Sequence, residues 1–267
     1  MKVKSIFVAM SAAVMAVGAQ AAGFVNGGFD DGTTNGWTVG SGDRSGANLS
    51  AINPASYLGA NGGGPSGGNR SAVVSAGLDP LLGALMPNIV YSGSNSYRVE
   101  DSGVSGGWLS VVSQTVTNYT DPNIFFAWLA ALDNGGHLPE RSAGMIITLT
   151  DLTTNTLLIN RRYNAGTGGG GVDARFSIDP ISQYFYTAAW QIEQLSIDAS
   201  LTGHDFTLTV LATDCGPAGH SGYVYLDGFG SVNPPAGVPE PATLALVCVA
   251  LLGGAAARRC KQARTSG

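Results

Sequence analysis

Apolar and polar positions alternate in short runs along most of this chain, and no stretch keeps the sustained 3.6-residue period of a longer helix. Trp108-Leu-Ser-Val-Val-Ser-Gln-Thr-Val116 has period two and ends in a Thr/Val pattern that suits a pleated, half-buried surface. Ile124-Phe-Phe-Ala-Trp-Leu-Ala-Ala-Leu132 is apolar on both faces, as a central strand is. Further strands are predicted at 145–150, 156–163, 190–198, 206–212 and 223–227, with residues 151–155 as a hairpin turn between two of them. Glycine-rich loops at 59–68 and 166–171 punctuate the series. One short helix is predicted at 81–86, with Asp79 as N-cap and Pro80 at its first position. Many short strands with turn signals and no alternating helices predict an all-β fold: an antiparallel β-sandwich, and within that class a jelly roll.

The two ends follow other rules. Lys2 and Lys4 precede an apolar stretch, 6–17, and Ala19-Gln20-Ala21 offers an A-x-A cleavage site, so residues 1–21 read as a secretory signal peptide. At the other end a linker, 234–241, contains Val238-Pro239-Glu240-Pro241. An uncharged run at 242–257, mostly Leu, Val and Ala, follows as a single transmembrane helix of about 24 Å, workable where the bilayer thins or arginines snorkel. The basic tail, 258–267, carries Arg258, Arg259, Lys261 and Arg264, a cluster that holds that end in the cytoplasm. This order of Pro-Glu-Pro, apolar span and Arg-rich end resembles the PEP-CTERM sorting tail of Gram-negative bacteria that make extracellular polysaccharide. The resemblance implies recognition and processing by an integral-membrane exosortase. It implies export through the inner membrane, anchorage by the C-terminal helix before processing, and the cell surface or a biofilm matrix afterwards.

Between the ends, residues 22–233 make one ectodomain, long enough for a sizeable core. Over 22–237, seven arginines face seventeen acidic residues, a net charge of −10, and all three lysines lie in the sorting segments. An acidic, lysine-free surface argues against nucleic acid or anionic lipid as partner. Cys248 and Cys260 belong to the tail, which leaves Cys215 alone in the ectodomain, so no internal disulfide staples the core.

Phe24-Val-Asn-Gly-Gly-Phe-Asp30, then Gly36-Trp37-Thr38, resembles the first strand of galactose-binding-like and carbohydrate-binding jelly rolls, and Tyr225-Leu-Asp-Gly-Phe229 resembles their last. The resemblance implies that these two strands lie side by side and that Asp30 and Asp227 hold a structural Ca2+. Calcium takes six to eight oxygens, which carboxylates and nearby carbonyls can supply. The same acids equally suit turn capping. Asp214-Cys-Gly-Pro-Ala-Gly-His220 resembles a Cys/His loop of secreted bacterial jelly-roll modules, with His137 as the upstream counterpart. Asp214, Cys215, His137 and His220 are all metal-ligand types, and thiolate with imidazole suits zinc. The C-x4-H spacing by itself favours a buried cysteine beside a histidine that bonds its own loop.

No nucleophile elbow, H-E-x-x-H or phosphate loop is present, and Glu100, Asp101, Glu140 and Glu193 are the acids left for glycan chemistry. The favoured reading is a non-catalytic module for extracellular polysaccharide, with Tyr57, Tyr91, Tyr97, Trp108, Tyr119 and Tyr184 as available stacking faces. The alternatives are an architectural or adhesive matrix protein without sugar binding, and a glycan-active enzyme.

Overall fold

The computed structural model describes residues 23–44, 46–59 and 70–230. The signal peptide, the linker, the transmembrane run, the basic tail and nearly all of the 59–68 loop therefore lie outside the described residues. Among the described residues, no helix is long and apolar enough to cross a membrane.

Twelve strands are described: β1 (Thr38–Asp43), β2 (Ala72–Ser75), β3 (Asn95–Val99), β4 (Trp108–Tyr119), β5 (Asn123–Asp133), β6 (Gly144–Asp151), β7 (Thr156–Asn164), β8 (Phe176–Ile178), β9 (Tyr184–Thr187), β10 (Gln191–Ser196), β11 (His204–Thr213) and β12 (Gly222–Gly230). They form two antiparallel sheets. The smaller runs β1-β4-β11-β6-β7, and the larger runs β2-β3-β12-β5-β9-β8. β10 pairs with β5 over residues 123–128, and β9 takes the other end of the same strand, over 131–133.

The sheets bury a shared core. Val112, Val116, Leu208, Val210, Ile147 and Leu149 of the smaller sheet belong to the same cluster as Phe126, Trp128, Ala130, Leu132, Val224 and Leu226 of the larger. Strand β5 is apolar on both faces for a reason the fold supplies. Its alternate residues Leu129 and Ala131 sit under Leu82, Met86 and Ile89, from a long excursion between β2 and β3. Leu49 and Ile52, between β1 and β2, cover Leu109, Val111, Ile146 and Leu211 on the outer face of the smaller sheet in the same way. Each fully buried side chain of this kind contributes about 1.5–3 kcal/mol, enough to order segments with little regular structure of their own.

Two expectations need correction. Residues 81–86 form turns, not a helix. Asp79 does make the capping bonds, its Oδ1 accepting the N–H groups of Leu81 and Leu82 at 2.9 and 2.8 Å. The Gly83 N–H donates to Asp79 O at 2.9 Å and completes one turn, and propagation stops there because Gly83 is left-handed (φ 53°). The Asp79 carboxylate also accepts the hydroxyls of Tyr223 and Tyr225, which fixes the turn over the sheet.

The second correction concerns 24–30, which is a series of turns where a first strand was expected. Asn26 and Phe29 have φ of 51° and 56°, incompatible with extended chain. The first strand is β1, and it pairs with β4 rather than β12. The 24–30 segment still lies against the end of β12: Phe229 N–H donates to Gly27 O at 3.1 Å, and Phe24 packs on the Phe229 ring.

Candidate functional site

Asp30 and Asp227 are brought together, though not by strand pairing. The first carbon of a side chain at Gly28 would lie 3.1 Å from Asp30 Oδ2 and 3.5 Å from Asp227 Oδ1. Both acids hold the loop between them. Asp227 Oδ2 accepts the N–H groups of Tyr91 and Ser92 at 2.7 and 3.0 Å, and Asp30 Oδ1 accepts those of Ser94 and Asn95 at 2.6 and 3.2 Å. Asp227 is fully buried while Asp30 is exposed. Burial pushes the Asp227 carboxyl up to about 7, against the pull of its backbone donors, and the charge of Asp30 adds to the rise.

The Cys/His loop meets its upstream counterpart at one end of the sandwich, where β5 crosses to β6 and β11 crosses to β12. His137 Nε2 lies 3.2 Å from His220 Nδ1, and Cys215 Sγ lies 3.4 Å from the same nitrogen. Asp214 does not join them. Its Oδ1 accepts the Gly222 N–H at 3.4 Å, while Arg70 lies 4.0 Å from Oδ2. Burial and the neighbouring Glu100 raise its carboxyl to about 9.

A residue with no sequence signal organises this end. Arg44, 1% exposed, donates to four backbone carbonyls: Ala47, Ser142, Asp214 and Glu140. It thereby ties the end of β1 to both crossing loops.

Each acid set aside for glycan chemistry has structural partners. Glu100 is fully buried, paired with Arg70 and accepting the Ser110 hydroxyl at 2.7 Å; Asp101 takes the other arm of Arg70 at 2.8 Å. Glu140 Oε2 accepts the N–H and hydroxyl of Ser50, both at 2.8 Å. Glu193 on β10 receives Arg161 from β7 through both oxygens and Arg175 at 3.1 Å. That cluster links β10 of the larger sheet to β7 of the smaller. Of the available aromatics, Tyr97, Tyr119 and Tyr184 are buried.

The concave feature that sequence reading missed is on the outer face of the smaller sheet. Register places Ser113, Thr209, Thr148 and Asn160 in one cross-strand row and Thr115, Thr207 and Thr150 in the next. The period-two pattern marks these as outward polar positions, but their alignment across four strands depends on topology. The hydroxyls of Ser113 and Thr209 are 2.9 Å apart, and Thr115 donates to Thr207 at 3.0 Å. Two adjoining grooves of about 390 and 270 Å³ run over these rows, walled by Asn53, Pro54, Ala55 and Leu58 on one side and by Arg162 at the far end.

Residues 237–259 match the PEP-CTERM protein-sorting motif, which marks an exported protein. No curated protein sequence matches the chain. Among solved structures, a carbohydrate-binding module described as TmCBM61 in complex with β-1,4-galactotriose is similar at 10% identity and a TM-score of 0.36, over 79% of this chain and 97% of that one. A module described as specific for non-crystalline cellulose, CBM28, is similar at 12% identity and a TM-score of 0.35, over 78% and 94%. The K1 cleaved adhesin domain of Lys-gingipain from Porphyromonas gingivalis W83 is similar at 12% identity and a TM-score of 0.38, over 77% and 96%.

Proposed function

Proceeding from the sorting motif at 237–259, we propose that this exported β-sandwich binds a chain of extracellular polysaccharide along the hydroxyl-lined groove of its smaller sheet. The observation that carries this reading is the pair of aligned Ser/Thr rows under the 53–58 wall. A hydroxyl has one donor and two acceptor positions; Ser113 and Thr115 spend their protons on Leu208 O and Thr207, which leaves lone pairs to accept from the hydroxyls of a sugar edge. The larger groove falls within the roughly 300–1,000 Å³ range of small-molecule sites, with a few polar groups setting orientation. Arg162, in the lining of the smaller adjoining groove, adds a cation that a sugar carboxylate would pair with.

Affinity electrophoresis in gels cast with the host's own exopolysaccharide tests the reading. The protein should be retarded, and Thr148→Val and Thr150→Val should each restore mobility in part. Free migration of the unaltered protein, with self-association on sizing, would favour the architectural alternative.

The same proposal gives the Asp30–Asp227 pair a calcium ion. It is supported by the two carboxylates flanking Gly28 and by the burial of Asp227, whose charge a divalent cation offsets. Bound there, calcium would supply positive charge between the 24–30 segment, the 91–95 loop and the end of β12. The tail completes the reading: an exosortase recognises Val238-Pro239-Glu240-Pro241 and removes or exchanges the span that follows, leaving the sandwich at the surface or in the matrix.

A further inference from the structure

We infer that His137, Cys215 and His220 form a binding site for a borderline-soft divalent cation, with Zn2+ as its natural occupant. The site ties together the two loops that cross between the sheets. Their three ligand atoms, two imidazole nitrogens and one sulfur, all lie within 4.8 Å of one another. Among the described residues this is the group of three such side chains whose ligand atoms converge.

Two of the three distances are close to the edges of a coordination polyhedron, and the third lies within 4.8 Å. A tetrahedral zinc ion bound at about 2.0–2.1 Å to nitrogen and about 2.3 Å to sulfur sets its nitrogen ligands about 3.4 Å apart and nitrogen from sulfur about 3.6 Å apart. The two edges that meet at His220 Nδ1 measure 3.2 Å to His137 Nε2 and 3.4 Å to Cys215 Sγ. A metal-free trio explains these contacts less well. One ring nitrogen carries either a proton or a lone pair, directed along a single line, yet His220 Nδ1 has both His137 Nε2 and Cys215 Sγ within hydrogen-bond reach. A cation at the centre of the triangle uses the lone pairs of both nitrogens and of the thiolate together.

The protein holds the three groups in place before any ion arrives. His220 packs over Gly135, where any side chain would collide with its ring. The turn between the two loop ligands is closed by Cys215 N–H donating to His220 O at 2.9 Å and Ala218 N–H donating to Cys215 O at 3.2 Å. His137 O accepts both the N–H and the hydroxyl of Thr167, at 2.9 and 2.8 Å. Arg44 fixes both loops from beneath through Ser142 O and Asp214 O. Cys215 is fully buried while both histidines are partly exposed, so the sulfur lies at the base and solvent reaches the imidazole side. Three protein ligands with one solvent-facing position is the arrangement of zinc sites that keep a coordination place open. The soft sulfur and two imidazoles select against calcium and magnesium, which take oxygen.

The reading is independent of sugar binding. It is tested with the full-length protein, stripped with chelator and titrated calorimetrically with Zn2+ and, in parallel, with Co2+ under an absorption spectrometer. One equivalent of Zn2+ should bind, and the cobalt form should show the thiolate charge-transfer band that a Cys215 ligand produces. His137→Ala and Cys215→Ser should each weaken Zn2+ binding at least tenfold, the smallest effect expected even for loss of a supporting contact around a metal. Cys215→Ser should also abolish the cobalt band, while Thr148→Val should bind Zn2+ as the unaltered protein does. Absence of Zn2+ binding, or binding that His137→Ala leaves unchanged, would overturn the assignment. His137 lies at the partly exposed side of the site, so that variant remains informative if Cys215→Ser fails to fold.

Discussion

Arg44 shows what a single side chain does at the centre of this fold. It is buried with its nitrogens on four carbonyls of three different segments, and none of those carbonyls has charge to offer in return. Its value lies in satisfying backbone groups that burial would otherwise leave bare. Arg44→Met keeps the apolar stem and removes every donor; it should lower unfolding free energy by about 3 kcal/mol or more, measured as a drop in the urea midpoint. Arg44→Lys should recover little, because one ammonium cannot span the guanidinium's fork of donors. An unchanged midpoint in Arg44→Met would mean that the loops rearrange to expose those carbonyls. Nothing in the sequence around residue 44 marks it for burial, since a lone arginine between Asp43 and Ser45 reads as a solvated loop. Cys215 and His220, by contrast, were visible by type and spacing. Their convergence with His137 was carried only by a resemblance, because 83 residues separate the two histidines and spacing says nothing about distance at that range.

The strands with long alternating or doubly apolar runs, β4, β5, β6, β7, β10, β11 and β12, were legible because burial on one or both faces writes a period into the sequence. β1, β2, β3, β8 and β9 were not. β1 reads Thr-Val-Gly-Ser-Gly-Asp, and the others have three to five residues, too few to display a period. The excursions that cover the outer faces were illegible for a related reason: their apolar residues follow the shape of a sheet rather than a period of their own. The 24–30 segment also belongs at this scale, joined to the 91–95 loop and to β12 through Asp30 and Asp227. If calcium links these three elements, a ligand bound only by the native state adds RT ln(1 + [L]/Kd), about 2.7 kcal/mol at a hundredfold excess over Kd. With zinc held at a constant level, removing calcium should therefore lower the melting temperature by several degrees, and Asp30→Asn should remove that sensitivity while still accepting the Ser94 N–H. Coincident melting curves with and without calcium under those conditions would leave the two acids as loop caps only.

For the molecule as a whole, the all-β sandwich and the sorting motif were readable from sequence, whereas the sheet order was not. The motif predicts that protein recovered from its native host is processed at or near Val238-Pro239-Glu240-Pro241. Intact mass spectrometry should find a species lacking the basic cluster at 258–264, and a mass that retains it would count against processing. The sheet order has a bearing on that journey. β12, the last described strand along the chain, fills the middle of the larger sheet between β3 and β5. Before residues 222–230 arrive, β3 has only the four-residue β2 beside it, and a ribbon of two strands is at best marginally stable. The larger sheet of a chain exported amino end first thus cannot join β3 to β5 until almost all of the described residues have passed. The slow step is then the closure that brings Val224 to Val99 across more than a hundred residues.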